Sequence, residues 1–247
     1  QAVHLSGSIP CMVARVLYGK LFVLRYAYRY DEFARVERRW FQWFAAKIMT
    51  PLVCREASAI MVPTDAIADY VKHQGAPIVT VIPNGVDTKL FRPVLKGRSL
   101  RKQRPSFSDS REAIRILFVG RFEPQKNLMT LIKAIHLIQA KGSDLLKRSD
   151  PSRHSIRHSQ APNPKFRKTI DDREPFFGKI GLTLIGHGSQ QKLFENAAKE
   201  LSVSFKIVPP VPNDHLVFYY QQADIFVLPS LVEVHPKALL EDMSCGL

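Results

Sequence analysis

The sequence predicts an α/β protein with two parallel-sheet domains, and three observations carry that expectation. Short apolar segments rich in β-branched residues alternate with amphipathic stretches along most of the 247 residues. Several of those segments, such as Ile114–Val119 and Gly181–Ile185, are nearly continuous apolar runs, the pattern of strands covered on both faces. The alternation lapses in a basic stretch after residue 92 and restarts at Ile114, which divides the chain in two.

In chain order, Leu21–Leu24 reads as a buried strand, followed by a helix from Glu32 to Met49 that Thr50-Pro51 should stop. Ala57–Pro63 is a short apolar strand, and Thr64 or Asp65 can cap a helix from Ala66 to His73. Ile78–Ile82 is the next strand, closed by the turn residues Pro83-Asn84-Gly85. Ile114–Val119 then leads to a helix capped by Asn127, with Leu128, Leu131, Ile132, Ile135 and Ile138 on one face. Strand Gly181–Ile185, helix Ser189–Leu201, strand Phe205–Val208, helix Asp214–Gln222, strand Asp224–Leu228 and helix Pro236–Ser244 complete the alternation. The expected boundaries are a first domain over 1–92, a basic linker over 93–112, and a second domain over 113–247. The second carries a basic insertion at 141–178.

Composition narrows the function. An apolar fraction of 45% with 23% charged residues is that of an ordinary globular protein. No window reaches the roughly 18 apolar residues of a membrane span. Cys11, Cys54 and Cys245 are far apart and in no metal spacing, so they read as buried reduced thiols. The net charge of +14 invites a nucleic-acid reading, but eight of those charges fall within 93–112 and 141–178. These segments are rich in Ser, Pro and Arg and lack periodicity, and no nucleic-acid-binding motif accompanies them. Solvated insertions explain them best, with weak attraction to an anionic membrane or polyanion as the alternative. Nucleic acid is therefore not expected as a partner.

In parallel sheets ligands bind beyond the carboxyl ends of strands, so the loops there hold the candidate chemistry. Gly120 after the first strand of the second domain lets backbone approach a ligand, and the helix start that follows supplies N–H groups. Arg121 and Lys126 add the charge to cradle a diphosphate. Gly186-His187-Gly188 follows the next strand, although a Gly-x-Gly serves tight turns as readily as ligands. The third loop runs Glu233-Val234-His235-Pro236-Lys237 into a helix that carries Glu241, with Lys237 and Glu241 one turn apart. Its two carboxylates suit sugar hydroxyls, being strong acceptors, yet unrelated surface acids would look the same.

These loops resemble family 4 of the glycosyltransferases, enzymes of the GT-B fold. The resemblance rests on Val81–Phe91 as the interdomain segment, Phe118–Asn127 as the phosphate-binding loop, and Ala223–Ser230 leading to the paired Glu233 and Glu241. It leaves out the basic segments and the first twenty residues. It implies transfer of a sugar from a nucleotide-diphosphate sugar, with retention, to a glycan or lipid-linked glycan. No metal or other cofactor is implied, and the absence of an Asp-x-Asp motif agrees. By the resemblance Arg121 and Lys126 neutralise the diphosphate, Glu233 lies against the sugar and Glu241 binds the ribose. Gly120, Gly186, Gly188, His235, Pro236 and Lys237 complete the donor side.

Three positions depart from the family pattern. Val234 replaces a usual glycine, and a β-branched residue resists positive φ. Asp242 replaces a small residue beside Glu241, and Pro209-Pro210 removes two backbone donors where a turn commonly meets the base. The family's glycine-rich first strand and its final helix are not found either, so the chain reads as an internal fragment.

On the acceptor side, Arg25, Tyr28, Arg29 and Asp31 follow the first strand toward the expected cleft. Arg35, Arg38 and Arg39 adjoin Trp40, Phe41, Trp43 and Phe44, which is compatible with peripheral membrane contact and equally with core aromatics beside a solvated basic flank. The expected setting is the cytoplasm, at the inner membrane face if the acceptor is lipid-linked. The competing readings are a non-catalytic nucleotide-binding remnant and a basic peripheral adaptor.

Overall fold

The computed structural model describes residues 5–93, 114–148 and 180–247. Three parallel strands, β1 (Val23–Arg25), β2 (Ala59–Val62) and β3 (Val79–Val81), form a first sheet in that order. Helices α1 (Leu5–Tyr18), α2 (Tyr30–Val36), α3 (Trp40–Glu56) and α4 (Asp65–His73) accompany it. Leu24, Tyr26, Val53, Cys54, Ile60, Val62, Ile67 and Val71 make the core between sheet and helices.

The second sheet has the order β6-β5-β4-β7, all parallel. Its chain path is β4 (Ile114–Val119), α5 (Leu128–Arg148), β5 (Ile180–Ile185), α6 (Gln191–Glu200), β6 (Phe205–Val208), α7 (Asn213–Gln222), β7 (Ile225–Phe226) and α8 (Lys237–Cys245). Strand β4 shows why its sequence is apolar but for Arg115, which pairs with Asp224 at 2.7 Å. Ile116 and Phe118 enter a core with Leu131, Ile132, Ile135 and Phe194, while Leu117 enters the opposite one with Leu216, Tyr220 and Cys245. Burial of each such side chain stabilises the fold by roughly 1.5–3 kcal/mol. The loops after β4, β5 and β7 are thereby held at one end of a sheet covered on both faces.

Several expectations need correction. The first strand begins at Val23, and Leu21, expected inside, is 81% exposed. The expected helix over 32–49 is two helices, broken after Val36 where Arg38 takes a left-handed φ of 56°. The Arg39 amide donates to Ala34 O (2.8 Å) and the Arg38 amide to Arg35 O (3.1 Å), a helix-ending pair of bonds usually built on glycine. Helix α3 then runs through Pro51 to Glu56, past its expected stop. Burial of Val53 and Cys54 in the core offsets the ~3 kcal/mol that an interior proline costs.

Thr64 caps α4 by accepting from the Ile67 amide, whereas Asn127 does not cap α5 in that way. Asn127 is left-handed (φ 52°), and its side-chain oxygen accepts the Thr130 hydroxyl. Helix α5 continues to Arg148, eight residues into the expected insertion, and β7 is shorter than the expected 224–228. The remainder of the two basic segments lies outside the described residues.

The passage between the halves comes earlier than residue 92. Phe91 is buried in the second core, edge-on to Tyr220 at 5.9 Å, and its carbonyl accepts from Ser244 Oγ at 2.5 Å. Cys54 and Cys245 are buried, and burial pushes their thiols up to about 12 and about 11. No helix among the described residues is long and apolar enough to cross a membrane.

Candidate functional site

The loops after β4, β5 and β7 are stitched together by their backbones. The Phe122 amide donates to His187 O (2.9 Å), Gln190 N to Phe122 O (3.0 Å), and Leu231 N to Gln125 O (2.8 Å). Asn127 Nδ2 adds a bond to Pro229 O at 3.3 Å. Such close approach explains two glycines. A Cβ on Gly186 would lie 2.0 Å from Gly120 O, and one on Gly188 would lie 2.5 Å from Phe122 O. Both therefore stand at the site's edge because backbone occupies the space a side chain would need.

The stitching also changes how the first loop can hold a ligand. The Gly120 amide donates to Ile185 O, Lys126 N to Glu123 O and Asn127 N to Pro124 O. These three amides are engaged inside the protein, so within the loop before α5 the positive charge of Arg121 and Lys126 is the main anion-binding resource. Arg121 is exposed. Lys126 makes an ion pair with Glu233, joining the first loop to the third. Glu123 accepts from both the hydroxyl (2.6 Å) and the amide (3.2 Å) of Ser189. The Ser189 hydroxyl bond, outweighing burial, holds its carboxyl below the usual range, helped by the charges of Arg121 and Arg39.

The third loop bridges the two halves of the molecule. Asn84, just past β3, donates its amide to His235 Nδ1 (3.1 Å) and its side-chain NH₂ to His235 O (2.7 Å). Arg25 completes the chain with a 2.9 Å bond to Asn84 Oδ1. Because His235 Nδ1 accepts, a neutral imidazole here carries its proton on Nε2. Val234 packs against the first domain's core and has no positive φ, so the strain expected of a β-branched residue is absent.

Helix α8 starts after Pro236, with no side-chain cap and no acidic residue in its first turn. Glu241, on that helix, is buried and accepts a bond from Tyr220 Oη at 3.1 Å. Burial raises its pKa, opposed by the Tyr220 hydroxyl and the charge of Lys237. Asp242 is also buried, and loss of hydration pushes its carboxyl up to about 6.

The acceptor-side candidates divide into two pairs. Arg29 binds Asp31 through two nitrogens (3.3 and 2.8 Å), meets Glu32 at 2.6 Å, and lies over the Tyr70 ring at 4.4 Å. Burial would raise the Asp31 pKa, but the Arg29 bonds and charge, the Glu32 amide and Lys47 together lower it. These two residues are thus engaged in holding α2. Arg25 bonds to Asn84 at the junction, while Tyr28 packs on Tyr30 and Phe33 of α2 (4.4 and 4.6 Å between ring centroids), within reach of the Arg121 charge.

Asn84, Tyr220 and the Glu123–Ser189 pair were not among the sequence candidates. Asn84 read as an ordinary turn residue and Tyr220 as a helix-face aromatic, and neither has a local signal for a partner over twenty residues away.

Residues 2–90 match the family described as Glycosyltransferase Family 4, and residues 173–247 match Glycosyl transferases group 1. The family likeness thus includes the first twenty residues, contrary to expectation, and enters the second basic segment. A D-inositol 3-phosphate glycosyltransferase of Paenarthrobacter aurescens is 29% identical over 201 residues, 77% of this chain and 39% of that protein. The Escherichia coli UDP-Gal:alpha-D-GlcNAc-diphosphoundecaprenol alpha-1,3-galactosyltransferase is 25% identical across 100% of this chain and 52% of its own. The chain spans about a third to a half of the length of the curated relatives it matches.

Among solved structures, sucrose-phosphate synthase of Thermosynechococcus elongatus superposes with a TM-score of 0.70 at 18% identity, covering 99% of this chain and 53% of that one. Anabaena HepE in complex with UDP-glucose gives 0.66 at 15%, covering 98% and 56%. With the GT-B arrangement of parallel sheets and a family match on each side of the linker, the chain belongs to family 4 of the glycosyltransferases.

Proposed function

We propose that the chain supplies the donor site and part of the acceptor side of a retaining glycosyltransferase. The reaction moves a sugar from a nucleotide-diphosphate sugar to a hydroxyl of a glycan or lipid-linked glycan. The observation that carries this reading is the Lys126–Glu233 pair, which joins a phosphate-loop cation to a sugar-side carboxylate from a different strand's loop. The solved relative holding UDP-glucose supports the donor class. The E. coli relative, named for a diphosphoundecaprenol-linked sugar, supports the lipid-linked acceptor and a place at the cytoplasmic membrane face.

In this reading Arg121 and Lys126 face the diphosphate, and Glu233 moves from Lys126 to the transferred sugar. Charge accumulates on the diphosphate as the glycosidic bond breaks, and fixed cations aimed there lower the barrier. A phosphate oxygen of the donor takes the acceptor's proton, so no protein base is required. Glu241, held by Tyr220, accepts from the ribose hydroxyls, while His235, Pro236 and Lys237 shape the start of α8 around the phosphates. Gly120, Gly186 and Gly188 let the loops close behind the nucleotide.

Calorimetric titration of UDP, GDP and ADP into the chain and its Glu241→Ala variant tests the reading. One nucleotide should bind saturably, weaken about tenfold or more in the variant, and keep its affinity in EDTA because side chains supply the positive charge. A folded chain that binds none of the three would sink it.

A further inference from the structure

We propose that the outward face of α3 docks on an anionic lipid surface, with its amino-terminal end beside the cleft. Trp40, Phe41, Phe44, Ile48 and Leu52 are 67%, 85%, 59%, 48% and 46% exposed. Residues 40, 44, 48 and 52 succeed one another at single-turn spacing, so these side chains form one stripe. The opposite face of the same helix buries Ala46, Thr50, Val53 and Cys54. An ordinary surface helix is polar where it meets water, whereas α3 is apolar on both sides.

The rim of the stripe is cationic. Arg35 and Arg38 are exposed and form no ion pair among the described residues, and Arg39 pairs with its neighbour Glu37 at 3.0 Å and donates to Gln42 Oε1 at 3.4 Å. Lys47 lies at the edge, 3.8 Å from Asp31. Aromatics ringed by arginines match an anionic bilayer, where rings enter the interface and cations meet headgroups. A second copy fits less well, because it brings the same basic rim on a chain of net charge +14.

Position links this face to the proposed reaction, and this link rests on the donor-site reading above. Helix α2, which ends just before Arg38 and Arg39, packs against the Pro124–Lys126 turn of the loop that carries Arg121, so the amino-terminal end of the stripe lies toward that loop. A lipid-linked acceptor in the docked bilayer would lie near the cleft mouth.

The chain has two tryptophans, Trp40 and Trp43, both on α3, so its tryptophan emission reports on this helix. The test adds phosphatidylcholine vesicles, with and without about 30% phosphatidylglycerol, and follows emission and co-sedimentation. The anionic vesicles should shift emission to the blue, and brominated lipid should quench it. Phe41→Ser/Phe44→Ser should lower partitioning about tenfold while leaving far-UV circular dichroism and nucleotide affinity unchanged. Arg35→Gln/Arg38→Gln should lower it on anionic vesicles.

Binding that survives the serine substitutions would assign it to the basic segments and overturn the proposal. Emission unmoved by lipid would overturn it, as would concentration-dependent self-association abolished by the same substitutions. Loss of nucleotide binding with vesicle binding intact would sink the donor site while leaving the docking face standing.

Discussion

Asp242 carries the residue-level feature with the clearest pH signature. It is buried on α8, and loss of hydration raises its carboxyl from the ordinary range to about 6. The native state therefore holds this proton more tightly than the unfolded chain. That contribution to stability is full below the usual carboxylate range and is lost as pH rises through about 6. Asp242→Asn should flatten the stability profile between about pH 4 and 6 and add about 1–2 kcal/mol at pH 7.5, read by urea unfolding across that range. A variant no more stable than the parent at pH 7.5 would show that the native state solvates the carboxylate. Glu241 shifts the same way, mainly through burial. Its ionised, hydrogen-bond-accepting form is thus lost at a higher pH than an exposed glutamate's, and nucleotide affinity should fall in acid through that higher pH. The sequence singled out both acids, but burial and the Tyr220 partner arise only when α7 and α8 meet.

At the scale of elements, legibility followed how local the cause was. Strand β4 was predicted at its observed bounds because five of its six residues are apolar and turn to cores on both faces, which leaves an unambiguous trace. The start of α4 was read where a capping hydroxyl marked it, at Thr64, and the structure closes its other end on Gly75 at φ 94°. The breaks at Arg38 and Ser202 use the same bonding as the Gly75 end but place ordinary side chains at left-handed φ, so no letter announces them. Ser202→Gly, at φ 53°, should accordingly stabilise the fold by about 0.5–1 kcal/mol, read as a higher urea midpoint at unchanged slope. The loop glycines carry the opposite expectation. Gly186→Ala sets a Cβ 2.0 Å from Gly120 O, and since backbone on both sides cannot yield cheaply, a loss of about 2–4 kcal/mol is expected. An alanine variant of parental stability would mean the two loops can part. The Gly-x-Gly pattern was visible in the sequence, but its reason lies in a loop more than sixty residues earlier.

Across the whole molecule, the two halves meet through the third loop and the connecting segment. Arg25, Asn84 and His235 form one hydrogen-bonded run, Val234 seats in the first core, and Phe91 in the second. Within that frame the Lys126–Glu233 pair closes the proposed donor side on itself. A diphosphate and Glu233 then compete for one ammonium, and the apparent affinity for nucleotide contains the cost of separating the pair. Glu233→Gln removes the competing charge and should tighten nucleoside diphosphate binding about 3- to 10-fold, although in the proposed reaction it removes the group that meets the transferred sugar. Lys126→Ala should weaken binding about tenfold, and in that background Glu233→Gln should bring no gain, because the two substitutions act through one contact. Nucleoside monophosphates carry less charge into the site and should respond less to either change. Calorimetry on the four proteins with both nucleotides supplies the full cycle. If Glu233→Gln binds no more tightly than the parent, the pair persists with nucleotide bound, and Arg121 carries the phosphate charge alone.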